Sequence, residues 1–167
     1  MSTQKEGTLL LLLRNSSDPE VFLGKKHLAA KIGPGTRNGP GGGIEDGETA
    51  VECIIRETKE EVGENLRIND NDLEFVGIIT FYKWSKEIMM KVHIFRCFKF
   101  EGEPKETDAM IDPRWYKVSQ IPLEEMMPGD RLFMPVLLAG KGRMIRDGWI
   151  RFNKDLSGVE EYYLPTE

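Results

Sequence analysis

The sequence predicts an α/β fold in which a mixed β-sheet is sandwiched between helices. Several short apolar or alternating segments, typical of strands, are separated by turns rich in Gly, Pro, Asn and Asp. An amphipathic helical segment lies among them, an order typical of a sheet with helices on its faces. The 167 residues, of which 40% are hydrophobic, show no change of composition that would divide them. We therefore expect residues 1–167 to form a single domain with its own core.

The first part of the chain is predicted to supply two strands and a long loop. The apolar run in residues 8–14 is too short to span a membrane, so it is assigned to a buried strand. Residues 15–20 (NSSDPE) have the composition of a turn, and residues 21–25 return as a second strand. The loop at 31–43 (KIGPGTRNGPGGG) is dense in Gly and Pro, and its glycines allow the backbone to approach a ligand closely.

A helix is predicted from about residue 48 to residue 62, and it carries an acidic face. Glu57, Glu60 and Glu61 are spaced at i, i+3 and i+4, so their side chains share one face. Gly63 is the expected C-terminal stop. A different face of the helix is apolar and is expected to pack on the core. That face consists of Val51, Ile54, Ile55, Thr58 and Val62.

The rest of the chain is predicted to complete the sheet and to add two short helices. Two long strands at 73–83 and 87–100 are joined by a turn near Ser85, and apolar and polar residues alternate in the second of them. The remaining segments are a short strand at 114–118, helices at 123–127 and 130–140 separated by Pro128 and Gly129, and a last strand at 149–153.

Charge and cysteine content restrict the partners and the compartment. The chain has 28 acidic and 23 basic residues mixed along its length, so its net charge is −5 and it has no basic stripe. Duplex nucleic acid is therefore not expected as a partner, whereas a small phosphorylated ligand bound through a metal is compatible with this charge. Cys53 and Cys97 lack metal-ligand spacing and are expected to be reduced thiols in a cytoplasmic protein. We expect no membrane partner, and either a monomer or a homodimer.

The acidic face of the helix is the first sign of chemistry. Three like charges on neighbouring turns repel one another, which a chain tolerates on a solvated surface or beside a divalent cation. Hard carboxylate oxygens suit Mg²⁺ or Mn²⁺, and Mg²⁺ commonly arrives with the phosphates of a substrate. A metal site beside a glycine-rich loop is one interpretation, and a plain solvated acidic face is the other.

Seven residues around this face stand at a fixed spacing. They follow the order G-x5-E-x7-R-E-x-x-E-E-x-G and are Gly42, Glu48, Arg56, Glu57, Glu60, Glu61 and Gly63. This pattern resembles the Nudix box, the signature of hydrolases that act on a nucleoside diphosphate linked to another group. The resemblance implies the Nudix fold. One departure is Glu64, because the family usually has a hydrophobic residue there that packs against the core.

The three glutamates of the box are the expected metal ligands and catalytic groups. The resemblance implies that Glu60 and Glu61 are the inner ligands of Mg²⁺, with Glu57 beside them. The metal would polarise the phosphoryl oxygens, lower the pKa of a bound water and neutralise charge on the leaving group. Either a box glutamate or a loop residue would take the proton from that water.

The other residues of the box are expected to shape the site. Gly42 permits a tight turn, and its carbonyl oxygen is expected to be free to face a metal. Arg56 lies round the helix from Glu61, so it is better placed to bind Glu48 and to hold the loop against the helix than to bind a metal.

The family often takes a further carboxylate ligand from the loop before the strand at 114–118. This loop is one residue longer here than in the family, and the aligned position is Ala109. Its acidic neighbours are Glu106, Asp108 and Asp112, of which we prefer Asp108 as the metal ligand.

Nearly the whole chain resembles one branch of this family, the MutT-related purine nucleoside triphosphatases. These enzymes clear oxidised nucleotides such as 8-oxo-dGTP. Those enzymes hydrolyse a nucleoside triphosphate to the monophosphate and pyrophosphate. We therefore expect a hydrolase that uses Mg²⁺ to cleave a purine nucleoside triphosphate. The similar segments are FLGKK at 22–26, RNGPGGG at 37–43, MMKVHIF at 89–95, WYKVSQIP at 115–122, EEMMPGDRLFMPVLL at 124–138 and GWIRFNKD at 148–155.

The same resemblance implies a pocket for the purine base. Asn38 matches an asparagine that hydrogen-bonds the base, since an amide offers both donors and an acceptor. The predicted lining residues are Thr8, Lys26, Ile32, Asn38, Phe81, Met90, Met127 and Asp130. The plainer alternatives are a turn for Asn38, core packing for Phe81 and Met90, a solvated surface for Lys26, a loop anchor for Ile32 and a helix N-cap for Asp130.

Two positions near the start of the predicted second helix depart from the family in a way that affects the base. The family has a tryptophan at the position of Met127 and two neighbouring carboxylates at the positions of Gly129 and Asp130, and these carboxylates read the base edge. Only Asp130 is retained. One carboxylate and one stacking surface are therefore lost here, although a flexible methionine can still cover a base. We expect triphosphate hydrolysis to be retained better than a strict preference for 8-oxoguanine.

Other functions on the same fold are the alternatives. Hydrolysis of ADP-ribose, of a dinucleoside polyphosphate or of a capped RNA end would use the same acidic helix. A binding module without catalysis is a different class, and such proteins usually lack box glutamates, which this chain retains.

Overall fold

The computed structural model describes residues 5–30, 32–139 and 143–167. Lys31 and Gly140, which begin the predicted loop and end the predicted second helix, lie outside the described residues. The helices found within these ranges are Ala50–Val62 (α1) and Asp130–Leu138 (α2), with short 3₁₀ turns at Asp70–Asp72, Val118–Gln120 and Leu123–Glu125. The strands are Glu6–Arg14 (β1), Glu20–Lys26 (β2), Arg37–Asn38 (β3), Glu74–Tyr82 (β4), Ile88–Cys97 (β5), Met110–Lys117 (β6), Ile145–Phe152 (β7) and Val159–Tyr163 (β8).

These strands form one mixed sheet, as predicted. The strand order is β3-β2-β1-β5-β4-β7-β8, and β6 pairs with β2. The pairs β1–β5 and β4–β7 are parallel, and the other pairs are antiparallel. None of the helices in the described part of the chain is both long and apolar enough to cross a membrane.

The leucine run of β1 is apolar throughout because both of its faces are covered. Odd-numbered leucines of the strand belong to a core that includes Phe133 and Leu137 of α2. Even-numbered leucines belong to a second core that includes Ile54 and Val62 of α1. Since alternate residues of a strand point to opposite faces, the two helices pack on opposite sides of the sheet, as the sandwich prediction requires.

Side-chain and backbone caps define the ends of α1. Thr49 is the N-cap, and its hydroxyl accepts a hydrogen bond from the amide of Glu52 at 3.1 Å. The helix ends at Gly63 (φ 93°), where the prediction placed its stop. Glu64 is exposed and does not pack against the core. Leu66, which is 1% exposed, fills that part of the core instead.

Several predicted bounds are wrong. The strand placed at 87–100 ends at Cys97, and those placed at 114–118 and 149–153 begin earlier, at Met110 and Ile145. The helix predicted at 123–127 is only a 3₁₀ turn. Two strands were not predicted. β3 has two residues within the glycine-rich loop, and β8 is an edge strand of mostly exposed residues that lacks apolar alternation.

Candidate active site

The Arg56 side chain joins the glycine-rich loop to α1. Its Nε donates to Glu48 Oε2 at 2.7 Å, and its Nη2 donates to Glu48 Oε1 at 2.9 Å. Nη2 also donates to the carbonyl oxygen of Gly43 at 3.1 Å. The guanidinium holds the pKa of the Glu48 carboxyl down at about 2, so this contact is an ion pair at neutral pH. The predicted contact between Arg56 and Glu48 is therefore present.

Glu57 lies directly against the backbone of Gly42. A Cβ atom at Gly42 would lie 2.6 Å from both carboxylate oxygens of Glu57. Arg56 Nη1 donates to Glu57 Oε1 at 2.9 Å. A side chain at position 42 would therefore displace the Glu57 carboxylate from this contact with Arg56. Burial raises the pKa of Glu57 despite the neighbouring guanidinium.

The expectation that the Gly42 carbonyl oxygen is free is wrong. It accepts the backbone N–H of Thr8 at 2.9 Å, and the Thr8 hydroxyl lies 3.3 Å away. The close approach that glycine permits pairs this part of the loop with β1. Thr8 thus supports the loop as well as lining the site.

Glu61 is the most enclosed carboxyl group of the acidic face. Its Oε1 accepts the backbone N–H of Gly41 at 3.1 Å. Burial raises the pKa of Glu61 to about 8, and the Glu57 charge acts in the same direction, while Lys26 opposes the shift. Gly41 was not singled out from the sequence, although it stands in the glycine run that suggested close backbone approach.

The three glutamates line one surface cleft together with residues from the basic end of β2. This acidic cleft is lined by Glu57, Glu60 and Glu61. Its other lining residues include Lys25, Lys26, His27, Ala109 and Met110. Glu60 is the most exposed of the three carboxylates and lies 3.3 Å from Arg56 Nη1. The cleft is therefore lined by both negative and positive side chains.

In the residues that the structure describes, no three acidic, imidazole or thiol side chains converge closely enough to hold a metal ion. The hydrogen bonds explain this arrangement, since Arg56 holds Glu57 and Glu60 while the Gly41 amide holds Glu61. Asp108 is exposed and is not part of the cleft wall, where Ala109 lies instead. Its predicted role as a ligand stays a prediction.

The donor set nevertheless fits a hard divalent cation. A single guanidinium, that of Arg56, contacts four carboxylates, from Glu45, Glu48, Glu57 and Glu60, at 3.7, 2.7, 2.9 and 3.3 Å. Glu61 adds a fifth carboxyl group to the same cluster. One positive charge does not balance this group, and carboxylate oxygens are the ligands that Mg²⁺ and Mn²⁺ prefer.

A mostly apolar cavity of about 210 Å³ adjoins the acidic cleft. All eight residues predicted to contact the base line this cavity: Thr8, Lys26, Ile32, Asn38, Phe81, Met90, Met127 and Asp130. The cavity and the acidic cleft share Lys26, Ile32, Asn38, Gly39 and Gly41 as lining residues. They are therefore two parts of one continuous site.

Two polar side chains face each other in this cavity. Asn38 Nδ2 donates to Asp130 Oδ2 at 3.1 Å, and Asn38 Oδ1 accepts the backbone N–H of Gly39 at 2.8 Å. Burial raises the pKa of Asp130 to about 7, and Lys26 opposes the shift. Asp130 is the first residue of α2, and the N-cap position is occupied by Gly129. The alternative of an N-cap is therefore wrong, and the turn explanation for Asn38 is incomplete.

Aromatic rings close the end of the cavity near Gly129. Phe81 stacks on Phe152 at 5.9 Å between ring centroids and meets Phe133 edge-on at 6.2 Å. A Cβ atom at Gly129 would lie 3.1 Å from Phe81 and 3.2 Å from Phe152. Phe152 was missed in the sequence because its strand is far along the chain from the predicted pocket residues.

Methionines form other walls of the cavity. The sulfur of Met127 would lie 2.9 Å from a Cβ at Gly33, and the sulfur of Met90 would lie 3.1 Å from a Cβ at Gly7. Both thioethers thus pack closely against glycine backbone. Met127 occupies the position where the resemblance implied a tryptophan.

Comparisons with known proteins identify the family of this chain. Residues 4–137 match the family model of the NUDIX domain. The chain is 36% identical over 141 residues to proteins named oxidized purine nucleoside triphosphate hydrolase from Danio rerio and Mus musculus, covering 84% of this chain and 84% of each relative. The MutT protein of Bacillus halodurans has a similar fold, with a TM-score of 0.74 and 23% identity over 96% of this chain and 97% of its own. The chain therefore belongs to the NUDIX domain family.

Proposed function

We propose that the protein hydrolyses a purine nucleoside triphosphate to the monophosphate and pyrophosphate, and that residues 1–167 act as one catalytic domain. The observation that carries this proposal is the continuity of the two parts of the site. An apolar cavity with a polar Asn38–Asp130 end opens onto a cleft lined by acidic and basic side chains. A nucleotide has the same division, with an aromatic base at one end and a charged phosphate chain at the other.

The base end of the site supports a purine. Phe81, Met90 and Met127 offer apolar contacts to the faces and edges of a flat ring. Asn38 uses one amide hydrogen and one acceptor position within the protein, which leaves the second hydrogen for the ligand. Asp130 offers a carboxyl group that accepts a hydrogen bond when ionised and donates one when protonated. The names of the relatives point to an oxidised purine, and the single carboxyl group favours a broader choice of base.

The phosphate end supports a metal-dependent reaction. Glu57, Glu60 and Glu61 would hold Mg²⁺, or Mn²⁺ in its place. When bound, the cation would neutralise the phosphoryl oxygens and lower the pKa of a water ligand. Lys26 lies between the cavity and the cleft, where its ammonium group faces the negative charge of a triphosphate. A box glutamate would accept the proton of the attacking water.

A nucleotide panel with Mg²⁺ tests this proposal. The panel contains dGTP, dATP, their 8-oxo and 2-oxo forms, dCTP, dTTP, ADP-ribose and a dinucleoside polyphosphate, and the assay distinguishes pyrophosphate from inorganic phosphate. We expect pyrophosphate from the purine triphosphates, with the pyrimidines cleaved more slowly. Product from ADP-ribose alone would replace the proposal with another Nudix reaction. Turnover of none of them would indicate a binding module.

The two cysteines support a proposed cytoplasmic location. Cys53 and Cys97 are both buried free thiols. Burial raises the pKa of the Cys97 thiol to about 11, so it is protonated and unreactive at neutral pH. Both observations suit a reducing compartment, where nucleotides are made and used.

A further inference from the structure

Arg37 is a charged residue in the interior of the protein, and the proposed reaction does not use it. Its side chain is 2% exposed. It lies on β3, next to Asn38. This strand has two residues and pairs with β2 only through Gly24–Asn38 and Lys25–Arg37. Backbone hydrogen bonds of the flanking residues extend this short ladder, from Lys26 N–H to Thr36 O at 2.9 Å and from Leu10 N–H to Pro40 O at 2.7 Å. The side chain of Arg37 adds a further constraint within β3 itself.

The guanidinium of Arg37 binds β2 and β6 on one side. Nη1 donates to the carbonyl oxygen of Leu23 at 3.2 Å and to that of Asp112 at 2.7 Å. Nη2 donates to Asp112 Oδ2 at 3.0 Å. These bonds tie β3 to the end of β6, where Asp112 has a left-handed backbone conformation (φ 48°). They therefore fix β3 from outside its own hydrogen-bond ladder.

On another side the guanidinium faces the segment that leads into α2. Its Nε lies 3.7 Å from Glu125 Oε2, and the ring of Tyr116 lies 5.3 Å from its central carbon. Glu125 ends the 3₁₀ turn that precedes Met127 and Asp130. One buried cation thus contacts both segments that carry the polar pair of the base cavity, Asn38 on β3 and Asp130 at the start of α2.

We propose that Arg37 is a positioning residue that sets the distance between Asn38 and Asp130 and thereby the recognition of the base. This inference rests on the proposed function, because it assumes that the cavity binds a nucleobase. Arg37 is not a lining residue of the cavity, so it acts through Asn38 and the Glu125 segment. The carboxylate partners of Arg37 among the described residues are Asp112 and Glu125, and neither is a glutamate of the acidic face.

Loss of the guanidinium is expected to leave the fold intact. Its two carboxylate partners are partly exposed, at 39% for Asp112 and 37% for Glu125, so water can hydrate them when the arginine is removed. Methionine has nearly the length of arginine and is apolar, which suits this buried position. The substitution Arg37→Met therefore removes the hydrogen bonds without leaving a buried unpaired charge.

Arg14 provides a control on the same sheet. It also pairs with a carboxylate, Glu20, at 2.9 Å, and it also packs on an aromatic ring, that of Trp115, at 4.0 Å. Its side chain is more exposed than that of Arg37, at 40% against 2%. Arg14 lines neither the cavity nor the acidic cleft. Arg14→Met therefore removes an arginine with an ion pair and a ring contact at a place that does not border on the base.

The test compares kcat and KM for the best purine triphosphate of the panel in four variants. We expect Arg37→Met to raise KM by about tenfold, the effect of losing one well-placed hydrogen bond, with kcat within about twofold. Arg14→Met should change neither constant by more than about twofold. In an Asn38→Ala background, the further substitution Arg37→Met should change KM by less than about twofold, because the Asn38–Asp130 pair that Arg37 positions is already lost.

Three results would overturn the proposal. They are an unchanged KM in Arg37→Met, an equal rise in KM in Arg14→Met, and an undiminished effect of Arg37→Met in the Asn38→Ala background. If the wild-type protein cleaves no nucleotide, the proposed function fails, and the positioning role is then judged by crystallography. An Asn38–Asp130 hydrogen bond retained at its length of 3.1 Å in crystals of Arg37→Met would also overturn it.

Discussion

Two carboxyl groups with raised pKa values lie at opposite ends of the proposed nucleotide site: Asp130, which is buried, and Glu61, which is partly buried. Desolvation raises the pKa of Asp130 to about 7 and that of Glu61 to about 8. Lys26 opposes both shifts, and it lines both the cavity and the acidic cleft. A carboxyl group kept in such a place lowers stability at neutral pH when no ligand offsets its charge, which is typical of residues retained for function.

Asp130 gives the first prediction, which concerns pH. Its pKa is 3.8 in the unfolded chain and about 7 in the folded protein. Between these values the folded state binds more protons, so the free energy of unfolding falls as pH rises through this window. Asp130→Asn cannot ionise and should show a shallower fall. Denaturant unfolding at about pH 5 and about pH 8 measures both slopes, and equal slopes would contradict the raised pKa.

The glutamates of the acidic face give the second prediction. Glu60→Gln or Glu61→Gln should lower kcat on the order of a hundredfold or more, because each removes a charged oxygen donor from the proposed metal site. Stability should not fall in Glu61→Gln, since the Gln amide oxygen can still accept the Gly41 N–H and the group cannot ionise. Glu52→Gln, an exposed substitution on the same helix, is the control and should keep wild-type kcat. Steady-state kinetics that show unchanged turnover in either variant would refute the assigned role.

At the scale of single residues, the sequence predicted the placement of a side chain correctly where helical spacing alone determines which way it points. Glu57, Glu60 and Glu61 share a helix face whatever surrounds the helix, so their common cleft could be predicted. The contact of Glu61 with the Gly41 amide depends on how the loop folds over α1, and no local pattern signals it. The same holds for Arg37, because a basic residue in a glycine-rich loop is usually solvated.

Among the elements, the start of α2 determines the shape of the base cavity. Gly129 precedes this helix and lies under the stacked rings of Phe81 and Phe152. These rings come from β4 and β7, which pair in parallel, so their separation is fixed by the sheet. The space beside Gly129 is therefore filled by aromatic carbon, which accounts for a glycine at this position.

Gly129→Asp, which restores the second carboxylate of the related enzymes, gives the third prediction. Its Cβ would already lie 3.1–3.2 Å from the two rings, and its charge would be buried beside them. We expect a lower midpoint of thermal unfolding and a higher KM for every purine triphosphate. Gly43→Ala adds a Cβ in open space and is the control for stability. A lower KM for an oxidised purine in Gly129→Asp would contradict this explanation and show that the rings yield.

The elements also show where the sequence misleads. Strands with alternating or continuous apolar residues, such as β1 and β5, were predicted because their burial leaves a periodic pattern. The edge strand β8 has no such pattern, because most of its side chains are exposed and it pairs with β7 at the edge of the sheet. β3 is formed by its tertiary contacts, and two residues are too few to give any period.

At the scale of the whole molecule, the sheet brings together residues that are far apart in sequence. Asn38 and Asp130 are 92 positions apart in the chain and lie within hydrogen-bonding distance. Phe81 and Phe152 meet in the same cavity, next to the acidic face of α1. Sequence similarity could predict which residues surround the base, but the distances among them follow only from the folded sheet.

The central claim is that the cavity and the acidic cleft form one nucleotide site. It is tested most directly by a crystal structure with Mg²⁺ and a purine triphosphate analogue that carries an α,β-imido bridge. The prediction is a base in the cavity beside Asn38 and Asp130, with metal density between the phosphates and Glu57, Glu60 and Glu61. A base bound outside this cavity, or phosphates held with no metal at the three glutamates, would contradict the account.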